Sequence, residues 1–564
     1  MRSVFNLFSK KDKSEEMYPE EIFLDASNLP AFNTDQFEGR FERPIKKYAL
    51  FIVLGAYAIL SIALLARLWF LQVASGEEYS ARAENNRLSH QPIFSERGVI
   101  LDRTGVELAW NESQDEVFAK RVYISLEGFG HLLGYTRPPQ RDSLGFFYKY
   151  AHTGIAGVEK LFDVRLRGEN GKKIVETNAL YEVKGESVIQ HPKDGQTIML
   201  SIDVRVQNAL YGFIQKLALD RGFEGGAGGL IDVETGELLA LVSYPEYDSN
   251  ILSGNLDGEN QKVLQEYQID TRNPFLNRFV SGIYTPGSII KPFVAIGVME
   301  EGIIGEYDTI YSSGRMVVPN PYTPTRPSVF TDWKAHGSVA IRDALAVSSN
   351  IYFYQTTGGF EDQKGIGIGN IEKYTRLFGF GENTGFTLAP ENPGVIPNPQ
   401  WKEEVFHDTW RVGDTYLTAI GQYGFQVTPL QALRATAALA SGSLPEVRIE
   451  KDAERVTKKN EQLPISEKTL NIVREGMRAA VVRGTAKGLS VPFVSVAAKT
   501  GTAELGISKQ RVNSWVIGFF PYEKPRYAFV VLMESGPRVN TLGGVFVMRQ
   551  MFDWMRDNTP EYLQ

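Results

Sequence analysis

Residues 494–534, VSVAAKTGTAELGISKQRVNSWVIGFFPYEKPRYAFVVLME, hold three strand-like runs in close succession. A matching habit appears far upstream. Residues 225–248, GGAGGLIDVETGELLALVSYPEYD, read as two strands around a Glu234-Thr235-Gly236 hairpin. Just before them, TIMLSIDVRVQNALYGFIQKLAL (197–219) passes from a strand into an amphipathic helix. The two ends of a domain beginning near Lys193 therefore predict one sheet, with the helical middle of the chain packed on it.

Ahead of that domain, residues 68–192 mix short β-like runs with turns: GVILDRTGVELAW (98–110), HLLGY (131–135) and KKIVETNALYEV (172–183). Asp102-Arg103-Thr104-Gly105 and Glu169-Asn170-Gly171 are hairpin punctuation, so this stretch reads as a small, mostly β module. Tyr48–Ala66, YALFIVLGAYAILSIALLA, carries no charge. At about 1.5 Å per residue it covers a hydrocarbon core of roughly 30 Å. Arg40, Arg43, Lys46 and Lys47 precede it, whereas only Arg67 stands before Glu77 and Glu78 on the other side. The positive-inside rule then puts the N-terminus in the cytoplasm and some five hundred residues outside. The expected division is a cytoplasmic tail (1–47), a transmembrane helix (48–67), a mainly β module (68–192) and a catalytic domain (193–564). The tail mixes Lys10, Lys11 and Lys13 with Glu15, Glu16, Glu20 and Glu21, a pattern of poor order.

Composition removes several chemistries. The net charge of −7 over 564 residues argues against a general nucleic-acid binder. With no cysteine, thiolate metal sites, cysteine nucleophiles and disulfides are excluded. The six histidines, His90, His131, His152, His191, His336 and His407, lack metal-ligand spacing, so metal chemistry is not expected.

Three short motifs carry chemistry. Ser288-Ile289-Ile290-Lys291 follows YTPG, whose Pro286-Gly287 turn precedes an apolar run suited to a helix. Spacing of i, i+3 puts hydroxyl and amine on one face. A serine needs a base to become nucleophilic, and a lysine serves if burial or a second cation lowers its pKa. Pro292 is in tension with a helix here, so the helix is expected to start no earlier than Gly287. Second comes Ser348-Ser349-Asn350, within ALAVSSNIYFY (344–354). Third is Lys499-Thr500-Gly501-Thr502, ending the strand VSVAAKTGT. Lys499 supplies positive charge, Thr500 and Thr502 supply hydroxyls for a carboxylate, and Gly501 admits close approach of a substrate backbone. S-x-x-K and K-T-G each occur once, and the decoy S-x-N, Ser253-Gly254-Asn255, lies upstream of Ser288 and out of order.

The ordered trio resembles the signature of penicillin-binding proteins and class A β-lactamases. More of the chain is similar to the class B penicillin-binding proteins, monofunctional D,D-transpeptidases. Arg97-Gly98-Val99-Ile100-Leu101-Asp102-Arg103-Thr104-Gly105 resembles their R-G-x-I-x-D-R-N-G stretch, and Gly154-Ile155-Ala156-Gly157-Val158-Glu159-Lys160 their G-x-x-G-x-E-K. Asp332-Trp333-Lys334-Ala335-His336-Gly337, Gly413-Asp414-Thr415 and Gly421-Gln422 look like the elongation-type branch, the penicillin-binding protein 2 type. For the pedestal motifs, turn and packing roles outweigh catalysis. One departure stands out: fifteen residues separate Gly105 from Arg121-Val122-Tyr123, where the family usually carries a long pedestal insertion.

The resemblance implies an α/β (α+β) penicillin-binding/β-lactamase-like transpeptidase domain with a mainly β N-terminal pedestal and one transmembrane helix. It further implies that Ser288 attacks the carbonyl between two D-alanines of a peptidoglycan stem peptide and that Lys291 takes its proton. Ser348 relays a proton to the leaving amine, Asn350 holds the substrate amide, and Lys499 keeps the site's charge. Thr500 and Thr502 hold the terminal carboxylate, while the N–H groups of Ser288 and Thr502 form the oxyanion hole. β-Lactams are expected as covalent inhibitors, with a separate glycan-polymerase membrane partner, since no polymerase motif precedes the domain. Rival readings are a division-type member, a D,D-carboxypeptidase or β-lactamase, and a membrane β-lactam sensor.

Overall fold

The computed structural model describes residues 47–77, 79, 88–113, 118–142, 147–177, 183–254, 258–320, 325–451 and 461–564. The tail expected to be poorly ordered, Glu78 of the acidic flank and Asn255 of the decoy motif lie outside these residues. Two compact units make up the chain, 1–88 and 89–564. The first carries a helix from Lys47 to Trp69, continued by a wider π-turn through Ala74, with no buried residue. It is long and apolar enough to cross a membrane.

In the second unit, five strands form the main sheet: β1 (Gly225–Asp232), β2 (Leu238–Tyr244), β3 (Ala497–Leu505), β4 (Arg511–Phe520) and β5 (Tyr527–Pro537). Their order is β2-β1-β5-β4-β3, so the two sequence ends interleave as expected, and β3, with the Lys-Thr-Gly-Thr run, is an edge strand. Every neighbour in the sheet runs antiparallel. Side chains alternate between two cores. Ile231, Leu241, Trp515, Ile517, Val530 and Leu532 face one; Leu230, Val242, Val516, Phe529, Val531 and Met533 face the other. Burial on both faces explains runs that are apolar throughout rather than alternating.

Helices α1 (Val204–Arg221), α2 (Lys291–Glu300), α3 (Ile341–Val347), α4 (Asn350–Gly358), α5 (Pro429–Ser441), α6 (Glu467–Arg483) and α7 (Gly544–Asn558) cover the faces. α1 and α7 lie over the second core, and α5 packs across β1, β4 and β5 on the first.

The pedestal is mostly β, as read. Ile100–Leu101, Glu107–Glu112 and Lys120–Tyr123 form one sheet, and Leu88–Ile93, Gly171–Thr177 and Val183–Gln190 another. Two details differ from the sequence reading. Gly130–Leu133, overlapping the HLLGY run read as β-like, is a buried helical turn; four residues are too few to reveal whether their period is 2 or 3.6. The strand Ile198–Met199 joins the pedestal sheet, running parallel to Ile100–Leu101.

The pedestal motifs are structural. Glu159 is fully buried and takes Arg97 Nε at 2.6 Å and Arg121 Nε at 2.7 Å. Burial alone would raise its carboxyl, yet the two guanidiniums hold it below the ordinary glutamate value. Asn111 bridges the pair, donating to Arg97 O and accepting from Arg121. Asp102 Oδ1 closes its own turn through Thr104 and Val106, while Oδ2 accepts the N–H of Val204 at the start of α1. Asn250 exchanges two hydrogen bonds with the Tyr123 backbone, and Glu246 accepts from the amides of Gly128 and Gly130. Thus the pedestal is pinned to the catalytic domain by turn residues. Replacing Glu159 with alanine leaves the buried Arg121 guanidinium without its carboxylate, while Arg97 keeps Asp163 at 2.9 Å, so stability should fall by about 3–5 kcal/mol. Thermal unfolding of the detergent-solubilised chain will show it as a lowered Tm.

Candidate active site

The chain reaches Ser288 through a tight turn. Gly287 has φ +57°, and a Cβ there would lie 2.9 Å from Thr502 O. Only glycine takes that conformation at that distance without strain. Residues Gly287–Ile290 form a 3-10 turn, and α2 starts at Lys291. Pro292 therefore falls in the first turn of α2, where its missing N–H has no intrahelical partner to lose. This resolves the tension in the sequence.

The serine turn lies directly against β3. A Cβ on Gly501 would meet Pro286 O at 2.8 Å and Ile289 Cγ2 at 2.9 Å. A close approach that requires glycine at 501 is thus made by the chain's own serine turn. Trp515 of β4 donates to Thr285 O at 3.0 Å, and Gly287 N donates to Gly421 O, also at 3.0 Å, fixing the turn from two further directions.

Ser348 ends α3 in the left-handed conformation, φ +58°, a backbone cost accepted by few residues other than glycine. The kink aims its hydroxyl between two lysines. Lys291 Nζ lies 3.3 Å and Lys499 Nζ 2.8 Å from Ser348 Oγ. Lys291 also donates to Ser348 O (2.8 Å) and Asn350 Oδ1 (2.7 Å), and Lys499 donates to Thr500 O (2.7 Å). Both lysines are fully buried. Burial disfavours the ammonium, pushing Lys291 down to about 7 against the opposing pull of Asp332. Lys499 is also lowered from the ordinary lysine value, by burial and by the charge of Lys291. Two buried amines meeting at one hydroxyl cannot readily hold two protons, so one of them is available as a base near neutral pH.

Asn350 is engaged on both sides of its amide, accepting from Lys291 and donating to Thr331 O at 3.2 Å; one N–H of its NH2 group remains for another acceptor. Ser288 is half-buried, Thr502 exposed, and Thr500 half-buried with its hydroxyl 2.7 Å from that of Thr485. The trio separated by more than two hundred residues of sequence is therefore one constellation. Being at the edge, β3 also leaves alternate N–H and C=O groups facing away from the sheet, the arrangement that accepts an extended peptide as an added strand.

Asp332 is the residue whose role the sequence did not disclose. Its carboxylate accepts from Ser349 Oγ (2.8 Å), Ile351 N (3.2 Å) and Ser312 Oγ (3.2 Å), and His336 Nε2 lies 3.5 Å away. Burial would raise this carboxyl, but the amides of Asn350 and Ile351, the Ser349 hydroxyl and the Lys291 charge hold it below its ordinary value. Asp332 thus anchors the Ser348 kink and places negative charge near Lys291. Its neighbour Trp333 donates to Val347 O at 3.0 Å, bracing the same bend. The only sequence signal was the resemblance of Asp332–Gly337 to a family motif. Among the described residues, no group of three or more His, Asp or Glu is arranged to hold a metal ion.

This constellation has counterparts in known proteins. The family model of the penicillin-binding protein transpeptidase domain matches residues 226–545, and that of the penicillin-binding protein dimerisation domain matches 116–200. The chain belongs to the penicillin-binding protein transpeptidase family. It is 29% identical to peptidoglycan D,D-transpeptidase MrdA of Acinetobacter baumannii, over 88% of this chain and 86% of that protein. Against MrdA of Escherichia coli K12 the identity is 26%, over 90% and 94% of the two chains. Among solved structures, penicillin-binding protein 2 of Helicobacter pylori, in its complex with MreC, is 28% identical with a TM-score of 0.69. That match covers 84% of this chain and 100% of the other. The Pseudomonas aeruginosa penicillin-binding protein 2 structure with WCK 5153 gives 26% identity and a TM-score of 0.65, over 83% and 98%. Within the family, the chain is a serine-type transpeptidase most similar to the elongation type, and it is membrane-anchored.

Proposed function

We propose that this chain cross-links peptidoglycan stem peptides during cell-wall elongation, through a serine acyl-enzyme. The reading is carried by one observation: Lys291 and Lys499, both buried, converge on Ser348 Oγ beside the turn that bears Ser288. Ser288 Oγ attacks the carbonyl between the last two D-alanines, and its proton passes to neutral Lys291. The oxyanion is held by the N–H groups of Ser288 and Thr502. As the C–N bond breaks, Ser348, charged through Lys499, hands a proton to the departing D-alanine amine. Asn350 steadies Lys291 and offers its free N–H to the substrate amide; Thr500 and Thr502 hold the terminal carboxylate. An amine of a neighbouring stem then attacks the ester, releasing Ser288. β-Lactams acylate the same hydroxyl.

The finer placement belongs to the same proposal: a cytoplasmic tail over 1–47, a span over 48–67, a pedestal over 68–192 and a transpeptidase domain over 193–564 outside the cell membrane. The positive flank Arg40–Lys47 supports that orientation. A separate membrane polymerase supplies the glycan strands.

Incubating the solubilised chain with a stem-pentapeptide donor and an amine acceptor tests the reading. The expected result is free D-alanine released in step with a new peptide bond to the acceptor. Release of D-alanine with water as the sole acceptor would instead make it a carboxypeptidase, and steady turnover of penicillin a β-lactamase.

A further inference from the structure

Thr485 lies two residues beyond the last residue of α6, outside all three motifs, yet it connects two of them. Its N–H donates to Ala346 O at 3.1 Å, two residues before Ser348. The preceding Gly484 packs so tightly that a Cβ would fall 2.0 Å from the same carbonyl. Its hydroxyl is 2.7 Å from the Thr500 hydroxyl on β3. Thr485 is thereby tied by its backbone to the wall that carries Ser348, and by its side chain to the wall that carries Lys499.

We infer that Thr485 is a positioning residue that sets the direction of the Thr500 hydroxyl and so selects a carboxylate at the end of the donor peptide; the inference rests on the role proposed for Thr500. The reason is proton counting. Each hydroxyl has one proton to donate and can also accept. If Thr500 donates to Thr485, nothing is left for the substrate, and its lone pairs face an anion. When Thr485 donates instead, Thr500 keeps its proton for the carboxylate, and the two bonds polarise each other in the same direction. A carboxylate accepts only, so it selects the second arrangement. A neutral ester end draws much less from it.

The test compares acylation by a donor thioester ending in a free carboxylate with acylation by its methyl ester. Both are measured on the full solubilised chain carrying Thr485→Val, Thr485→Ser or Thr500→Val. The wild type should prefer the carboxylate. Thr485→Val leaves Thr500 its proton but no longer fixes where that proton points, so it should lose about fivefold on the carboxylate donor, the scale of one neutral hydrogen bond, and change little on the ester. Thr485→Ser, which keeps the hydroxyl, should restore the preference. Equal losses on both donors would make Thr485 merely structural and overturn the inference, as would an unchanged preference in Thr485→Val while Thr500→Val abolishes it. If Thr500→Val keeps the full preference, the role of Thr500 falls, and this inference with it.

Discussion

Replacing Ser288 with alanine is expected to abolish covalent labelling by a fluorescent penicillin, and to reduce D-alanine release by about 10^4-fold or more. The neighbouring hydroxyls of Ser348 and Thr500 are already engaged. Ser348 Oγ is held by two lysine amines, and Thr500 Oγ1 is paired with Thr485. The substitution removes one oxygen from a half-buried position in the 3-10 turn that precedes α2 and leaves the Gly287 turn and its contact with Gly421 intact. Labelling should therefore vanish from a chain that still unfolds at its normal temperature. Undiminished labelling of the variant would remove Ser288 as nucleophile and, with it, the acyl-enzyme proposed above.

Lys291→Met is expected to slow acylation by about 10^2- to 10^4-fold, the usual contribution of a positioned base. Methionine fits the volume of a lysine stem but cannot accept a proton. The pH dependence separates a lost base from a lost fold. In the wild type, burial holds Lys291 at about 7, so the neutral amine is present above that pH and disappears as pH falls through it. Acylation should rise with pH across that value and then level off. The variant should lose this inflection altogether while retaining a slow background. A variant equally slow but still inflecting near 7 would show that a different group titrates, with Lys499 the first candidate because it meets the same hydroxyl.

Much of this arrangement was legible in the chain. The strand runs at 225–248 and 494–534 announced a sheet shared by both ends of the domain, because apolar patterning is local and survives without tertiary information. The i, i+3 spacing of Ser288 and Lys291 placed them together for the same local reason. The gap between hydrophobic Tyr48–Ala66 and everything around it marked the membrane segment. Asp332 was invisible as a functional group, since its importance comes from Ser349, Ile351 and Ser312, whose approach depends on how separate segments pack. The contact of Gly501 with Pro286 was not legible, because the two are more than two hundred residues apart in sequence. Gly130–Leu133 was misread because burial, rather than period, decides the fate of so short a run.

By itself, then, the sequence determined the candidate reacting groups, their order and the elements that carry them, all of which depend on residue type and near-neighbour spacing. Only the tertiary structure decided that two lysines 208 positions apart share one hydroxyl, that Ser348 takes a left-handed bend to reach them, and that Thr485 touches the Lys-Thr-Gly-Thr strand. Those contacts come from the packing of α2, α3, α6 and β3 against one another. The lowered pKa that suits Lys291 to the proposed role of base exists only once that packing has removed water from its amine.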